Sequence, residues 1–276
     1  MKIAIGLASI FALLMTDARA ADVTKVPAYD QFIVVPLRVH VLTSKELDLT
    51  DGRIAADEVE KAVLKINAIW SKAGIYFGLE SIVREPAAQI GRFQALVQLN
   101  NGQFDDIGPF AYLLPTASRV FDGAHVYIFH DLPFNGGYLA GADATIVKEK
   151  PELNPVKGGS TDPLARVAAR GLGVAVGLSA RDDQFGLLSN GTNGVGLSEA
   201  EVGRARQLAK TLPGALEVDA AAKEAEAASK KGDVDKARRL WTWLSDIPAA
   251  GPAASEAKKK RLALPNPKPK SAPPKP

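Results

Sequence analysis

The 276-residue chain contains no cysteine, so disulfides and thiolate chemistry are both excluded. It has three histidines, His40, His125 and His130, and two methionines. No apolar run after Met15 approaches the ~20 residues a membrane-spanning helix needs, so no transmembrane segment is expected in the mature protein. The G-x-S-x-G elbow of serine hydrolases is absent. Gly171, Gly173 and Gly177 miss the dinucleotide fingerprint by one residue, and no strand precedes them. Acid is missing from the C-terminal tail: seven of the 34 Lys and Arg lie from Lys258 onward, so residues 1–257 carry a net charge of −4 although the whole chain carries +3. The body therefore offers no nucleic-acid surface. The basic tail could contact an anionic surface, or simply be solvated.

Lys2, the apolar run Ile3–Met15 and Ala18-Arg19-Ala20 read as a secretory signal peptide over residues 1–20, so a secreted or periplasmic protein is expected. Without disulfides, the remaining residues must hold together through a core. FIVVPLRVHVLTS alternates Leu37, Val39 and Val41 against Arg38 and His40, the period of a half-buried strand, with Pro36 at its beginning or an edge. IAADEVEKAVLKINAIWSKAG is an amphipathic helix ended by Gly74. Ile75–Val83 alternates as a second strand. FQALVQL reads as a strand, and DDIGPFAYLLP as loop or short helix. His125–Phe129 is a strand, followed by a glycine-rich turn and a short strand ending near Val147. A helix begins near Pro163, and another follows Ser198, with Glu201 completing a capping box. Residues 215–248 read as a helical hairpin around Gly232, and residues 249–276 as a disordered Pro/Lys-rich tail.

The stretch RGLGVAVGLSARDDQFGLLSNGTNG, residues 170–194, is anomalous because each interior helical glycine costs about 1 kcal/mol relative to alanine. In order of elements, in the phrase W-x-x-A-G-I and in the S-x-G-T-x-G turn, residues 30–213 resemble the metzincin metalloproteases, and among them matrixin-like bacterial members. That family carries H-E-x-x-H-x-x-G-x-x-H on a helix, followed by a Met-turn. The resemblance implies an α+β fold: a twisted mixed sheet, a long helix, a degenerate active-site helix and a Met-turn-like loop. It aligns Arg170 with the first zinc histidine, Gly171 with the glutamate, Val174 with the second histidine and Ala180 with the third. Gly177 keeps the motif glycine, Leu188 replaces the Met-turn methionine, and Gly191 lies in the turn. Val and Ala offer zinc no donor, and a permanent cation at Arg170 repels it.

The resemblance thus implies a pseudo-protease with no zinc or other cofactor, acting by binding an extended peptide or protein. The strand His125, Val126, Tyr127, Ile128 and Phe129 is expected to be the peptide-binding edge, with Tyr138–Ala140 beyond it. Arg170 is expected to pair with Asp182 or Asp183, clamping helix to loop where the metal is lost. Alternatives stay open. One is a hydrolase with an unconventional site using His125, His130 or Asp131, although a separation of five puts the two histidines on opposite strand faces. Another is a structural protein acting through its C-terminal hairpin and basic tail.

Overall fold

The computed structural model describes residues 22–102, 106–119, 122–249 and 251–265. The expected signal peptide and the end of the tail lie outside them. Strand β1 (Ile33–Thr43) organises the fold. It pairs in parallel with β2 (Ile75–Pro86) on one side and β3 (Ala124–Phe129) on the other. Beyond β3 lie β5 (Ala144–Lys148), parallel to it, and then β4 (Gly136–Leu139), antiparallel to β5. The order is β2-β1-β3-β5-β4, and the two-residue β6 (Leu216–Glu217) pairs antiparallel with the start of β1. The result is a mostly parallel mixed sheet in an α+β arrangement.

One reading of β1 needs correction. It is buried on both faces rather than half-buried, and His40 is fully enclosed. The reason is that helices cover both sides of the sheet, which removes the solvated face that alternation normally implies. Pro36 does not begin β1; of the two expected places it takes the edge-like one, unpaired on one side. It falls where the pairing of β6 with Ile33 and Val34 has ended and that of β3, from Leu37, has not begun. A proline, which lacks a ladder donor, is tolerated at such a break.

On one face pack α1 (Ala56–Trp70), α3 (Pro163–Ala175) and α4 (Glu199–Ala209), burying Val63, Ile66, Trp70, Leu172 and Ala205 against the odd-numbered residues of β1. A short turn after α1 closes on Gly74 at φ +63°, where a side chain would be strained. Asn67 then fixes the start of β2: its amide donates to the Phe77 carbonyl at 2.9 Å, and its carbonyl oxygen accepts from the Phe77 N–H at 2.7 Å. The capping box of Ser198 and Glu201 starts α4.

On the other face lie α5 (Val218–Lys231) and α6 (Val234–Asp246), joined through Gly232 at φ +77°. Their apolar sides share a core with Phe32 and Val34 of the β1 region and Tyr76 of β2. The hairpin expected over residues 215–248 is therefore docked on the sheet. Trp243 donates to the Leu79 carbonyl at 3.0 Å, and a Cβ on Gly78 would lie 2.4 Å from its ring, so that glycine makes the space for the indole. The chain after it is not all irregular: α7 (Pro252–Ala263) is a helix whose Ala257 is buried and whose Lys260 pairs with Glu226 at 2.5 Å. Composition suggested disorder, yet the stretch between Pro252 and Pro265 has no interior proline, and packing decides the outcome.

The rest of this second face is covered by α2 (Ile90–Leu99) and a 3-10 turn (Gly108–Leu113), which pack Phe93 and Phe110 near Tyr127 and Phe129. FQALVQL is thus helical, not a strand. Of its residues only Phe93 is buried, which is the one-sided burial of a surface helix. Among the described residues no helix is long and apolar enough to cross a membrane.

Candidate functional site

Helix α3 starts at Asp162, whose side chain accepts from the Ala165 N–H at 2.9 Å, with Pro163 at its first turn. Its glycines are explained by close approach. A Cβ on Gly171 would lie 2.2 Å from Thr145 Cγ2 on β5, so the helix can lie on the sheet only without a side chain there. At Gly173 a Cβ would meet Trp70 at 3.3 Å and Leu188 at 3.4 Å. Gly177, at φ +74°, turns the chain off the helix as expected. Leu188 is fully buried beneath the helix, and Gly191 takes φ +69° in the turn that follows.

Arg166 holds this loop in place. The residue is 1 % exposed, and its guanidinium donates to the carbonyls of Gly194 at 3.0 Å, Ser189 at 2.6 Å and Gly186 at 3.3 Å. Burial, and secondarily the neighbouring Arg170 charge, push its pKa down to about 10, so it remains a cation at neutral pH. Sequence reasoning missed this residue. The available signal was a pair of arginines four apart in an otherwise apolar helix that carries no acid.

One turn on, Arg170 lines a cavity of about 620 Å³ with Phe134, Gly136, Tyr138, Val174 and Asn190. The cavity lies between α3 and β4, and a volume of this size is ordinary for a ligand pocket (~300–1,000 Å³). Gly136 and Gly137 let β4 pass close to its neighbours: a Cβ there would lie 2.7 Å from Val167 and from Ile107 respectively. Arg170 Nη2 donates to Asn190 Oδ1, while its Nε is buried without an acceptor. Burial lowers its pKa.

Four aligned positions therefore separate. Arg170 and Val174 meet at the cavity, Gly171 is pressed against the sheet, and Ala180 is exposed on the following loop. None of the four supplies a zinc donor. Among the described residues no group of three or more His, Asp or Glu side chains could hold a metal ion. A zinc ion does not fit a site walled by Arg170 and Val174.

The expected clamp is also corrected. Asp183 pairs with Arg181, which reaches Glu201 at 3.0 Å as well, and Asp182 is exposed. Arg181 is closer in sequence and takes Asp183, so Arg170 has no carboxylate partner among the described residues; the clamp between helix and loop is Arg166. The expected peptide edge is wrong for a topological reason. Residues His125, Val126, Tyr127, Ile128 and Phe129 form β3, which is paired on both sides, and the edge next to α3 is β4.

The histidines stand apart from the cavity. His40 Nδ1 lies 2.6 Å from Glu85 Oε1, and His40 Nε2 lies 3.0 Å from His125 Nδ1. His40 stacks on Tyr127 at 4.1 Å. Burial, then the His125, Arg38 and Arg119 charges, push the His40 pKa down to about 3, and burial raises that of Glu85. His125 lines a second cavity of about 400 Å³ with Thr116, Arg119 and Asp143. His130 Nδ1 lies 2.9 Å from Glu149 Oε2 at the far end of β3, and Asp131 pairs with Lys148 at 2.7 Å. The three are thus not brought into one site.

No known family model matches the chain, and no curated protein sequence matches it.

Proposed function

We propose that this is an exported, metzincin-like protein without a catalytic metal, which binds extended peptide segments by adding them to the edge of β4. The observation that carries the reading is that an uncharged edge strand borders the cavity lined by Arg170 and Val174, the two positions aligned with motif histidines. Edge strands are normally protected by charge, proline or a cover. The sequence of β4, Gly-Gly-Tyr-Leu, carries neither charge nor proline. Its four residues present about 13 Å of backbone, enough to pair with four or five residues of a ligand. The placement of Leu188 under Gly173 supports the aligned register. Export rests on the first twenty residues.

The test is binding of an extended, alternately β-branched hexapeptide by fluorescence anisotropy, beside the same peptide N-methylated at alternate residues. Binding that N-methylation abolishes supports strand addition, and equal affinity for both peptides contradicts it. Zinc or chelator should leave the affinity unchanged.

One arrangement favours a second reading, an unconventional hydrolase. His40 Nδ1 lies within hydrogen-bonding distance of Glu85 and His40 Nε2 of His125 Nδ1, which sets a carboxylate–imidazole–imidazole relay beside the 400 Å³ cavity. Hydrolysis of ester or peptide substrates that disappears in His125→Gln would establish it, and no hydrolysis of either class would end it.

A further inference from the structure

We infer that the cavity between α3 and β4 recognises a carboxylate on the bound peptide, with Arg170 as its anchor. The inference rests on the peptide-binding reading and names the ligand chemistry of that same site. Helix α3 carries two arginines one turn apart, and among the described residues neither has a carboxylate partner. Taking an uncompensated cation out of water is costly unless hydrogen bonds or a counter-charge make up the loss. Arg166 is compensated by three carbonyls. Arg170, also on the helix and also pushed down in pKa by burial, has one side-chain amide and a buried Nε–H with no acceptor. Two other described carboxylates of this region are engaged: Asp183 with Arg181, and Asp143 with the Tyr138 hydroxyl at 2.5 Å. Asp106, also in the cavity wall, accepts from the Gly108 N–H at 2.6 Å.

What Arg170 lacks, among the described residues, is thus a paired anion with two acceptor atoms. A guanidinium presents parallel N–H donors that a carboxylate oxygen pair matches, whereas a neutral amide or an ammonium does not. The carboxylate can come from a free peptide C-terminus or from an Asp or Glu side chain. Both place the same group against Arg170 while the peptide backbone runs along β4. The Lys-rich tail of the chain itself is a poor occupant, since its charge has the sign of Arg170.

The experiment compares four peptides of one backbone sequence on the purified protein: free C-terminus, amidated C-terminus, amidated with one internal Glu, and amidated with Gln in its place. Charge-assisted pairing predicts at least one acidic peptide binding about 10- to 100-fold tighter than its neutral counterpart. Arg170→Gln should collapse that ratio and Arg170→Lys should reduce it. Equal affinity of all four peptides overturns the anchor while leaving strand addition intact. A ratio that survives in Arg170→Gln overturns it too.

If no peptide binds, the strand-addition reading has failed, and the anchor is tested alone. The Arg170 Nε–H NMR signal, assigned by its loss in Arg170→Gln, is titrated with N-acetylalanine, N-acetylglutamate α-amide and neutral N-acetylglutamine amide. A shift with either carboxylate but not the neutral amide supports the anchor and tells its source, and no shift with any of them overturns it.

Discussion

The sheet ends in two edges that the chain treats differently. The β2 edge is long and guarded: Glu80 and Glu85 are engaged by Arg38 and His40 of β1, Arg84 donates to the Gly52 and Ile54 carbonyls, and Trp243 fills the space over Gly78. The β4 edge is four residues long, uncharged, and next to a cavity where, among the described residues, Arg170 pairs with no carboxylate. On the first side the polar groups named are matched within the fold. On the second, matching stops one helical turn short, between Arg166 and Arg170. Incompleteness of that kind costs stability, and it makes sense where a ligand completes the set.

The comparison can be broken first on the guarded side. Trp243→Ala removes the indole that fits over Gly78 and should destabilise the fold by about 3–5 kcal/mol in urea unfolding. A loss below about 1 kcal/mol would mean the hairpin is not part of this core. Next comes Arg166→Leu, which leaves three carbonyls without their donor. At ~1–3 kcal/mol for each unsatisfied group, offset by removal of a buried charge, a loss of about 3 kcal/mol is expected. Lowered stability with unchanged protease sensitivity of the 181–197 loop would show that Arg166 does not hold that loop.

The contact of β1 with β2 supplies a pH test. Burial pushes the His40 pKa down to about 3 in the fold, below its ordinary 6.5, so the unfolded chain takes up the proton first as pH falls. Stability from this group is complete above pH 6.5 and declines toward pH 3, by at most about 1.4 kcal/mol per unit. Glu85, raised by burial, opposes the decline at the acid end. Melting temperatures of wild type and His40→Gln between pH 7.5 and 5 should converge as pH falls. Parallel curves would assign the acid sensitivity elsewhere. Smallest of all is Arg170→Leu. Because no carboxylate pairs with it among the described residues, stability should change by less than about 1 kcal/mol or rise. A large loss would make Arg170 structural.

The sequence made the local grammar legible wherever one residue type has one physical reason. Gly74, Gly177 and Gly232 mark positive-φ helix ends, Ser198 and Glu201 mark a cap, and Pro163 marks a first turn. Less was legible where the answer depends on what covers what. The alternation of Arg38 and His40 reads as a solvated face, but α2 and the C-terminal helices cover that side. β3 reads as an edge because nothing local says that Gly136–Leu139, which looks like a turn, is a strand beyond β5. At the site, the absence of metal donors at Arg170 and Val174 was readable, and the cavity they share was not. Arg166 was hidden because a buried arginine paired only with carbonyls leaves no acidic partner in the sequence.

Hydrogen exchange of the β4 amides tests the central claim most directly. Gly136–Leu139 would be followed with and without a saturating acidic hexapeptide. The account predicts slowed exchange of the outward-facing amides of β4 on peptide addition, with the guarded β2 edge unchanged. Protection that appears on β2 or elsewhere, with β4 exchanging as before, would contradict it.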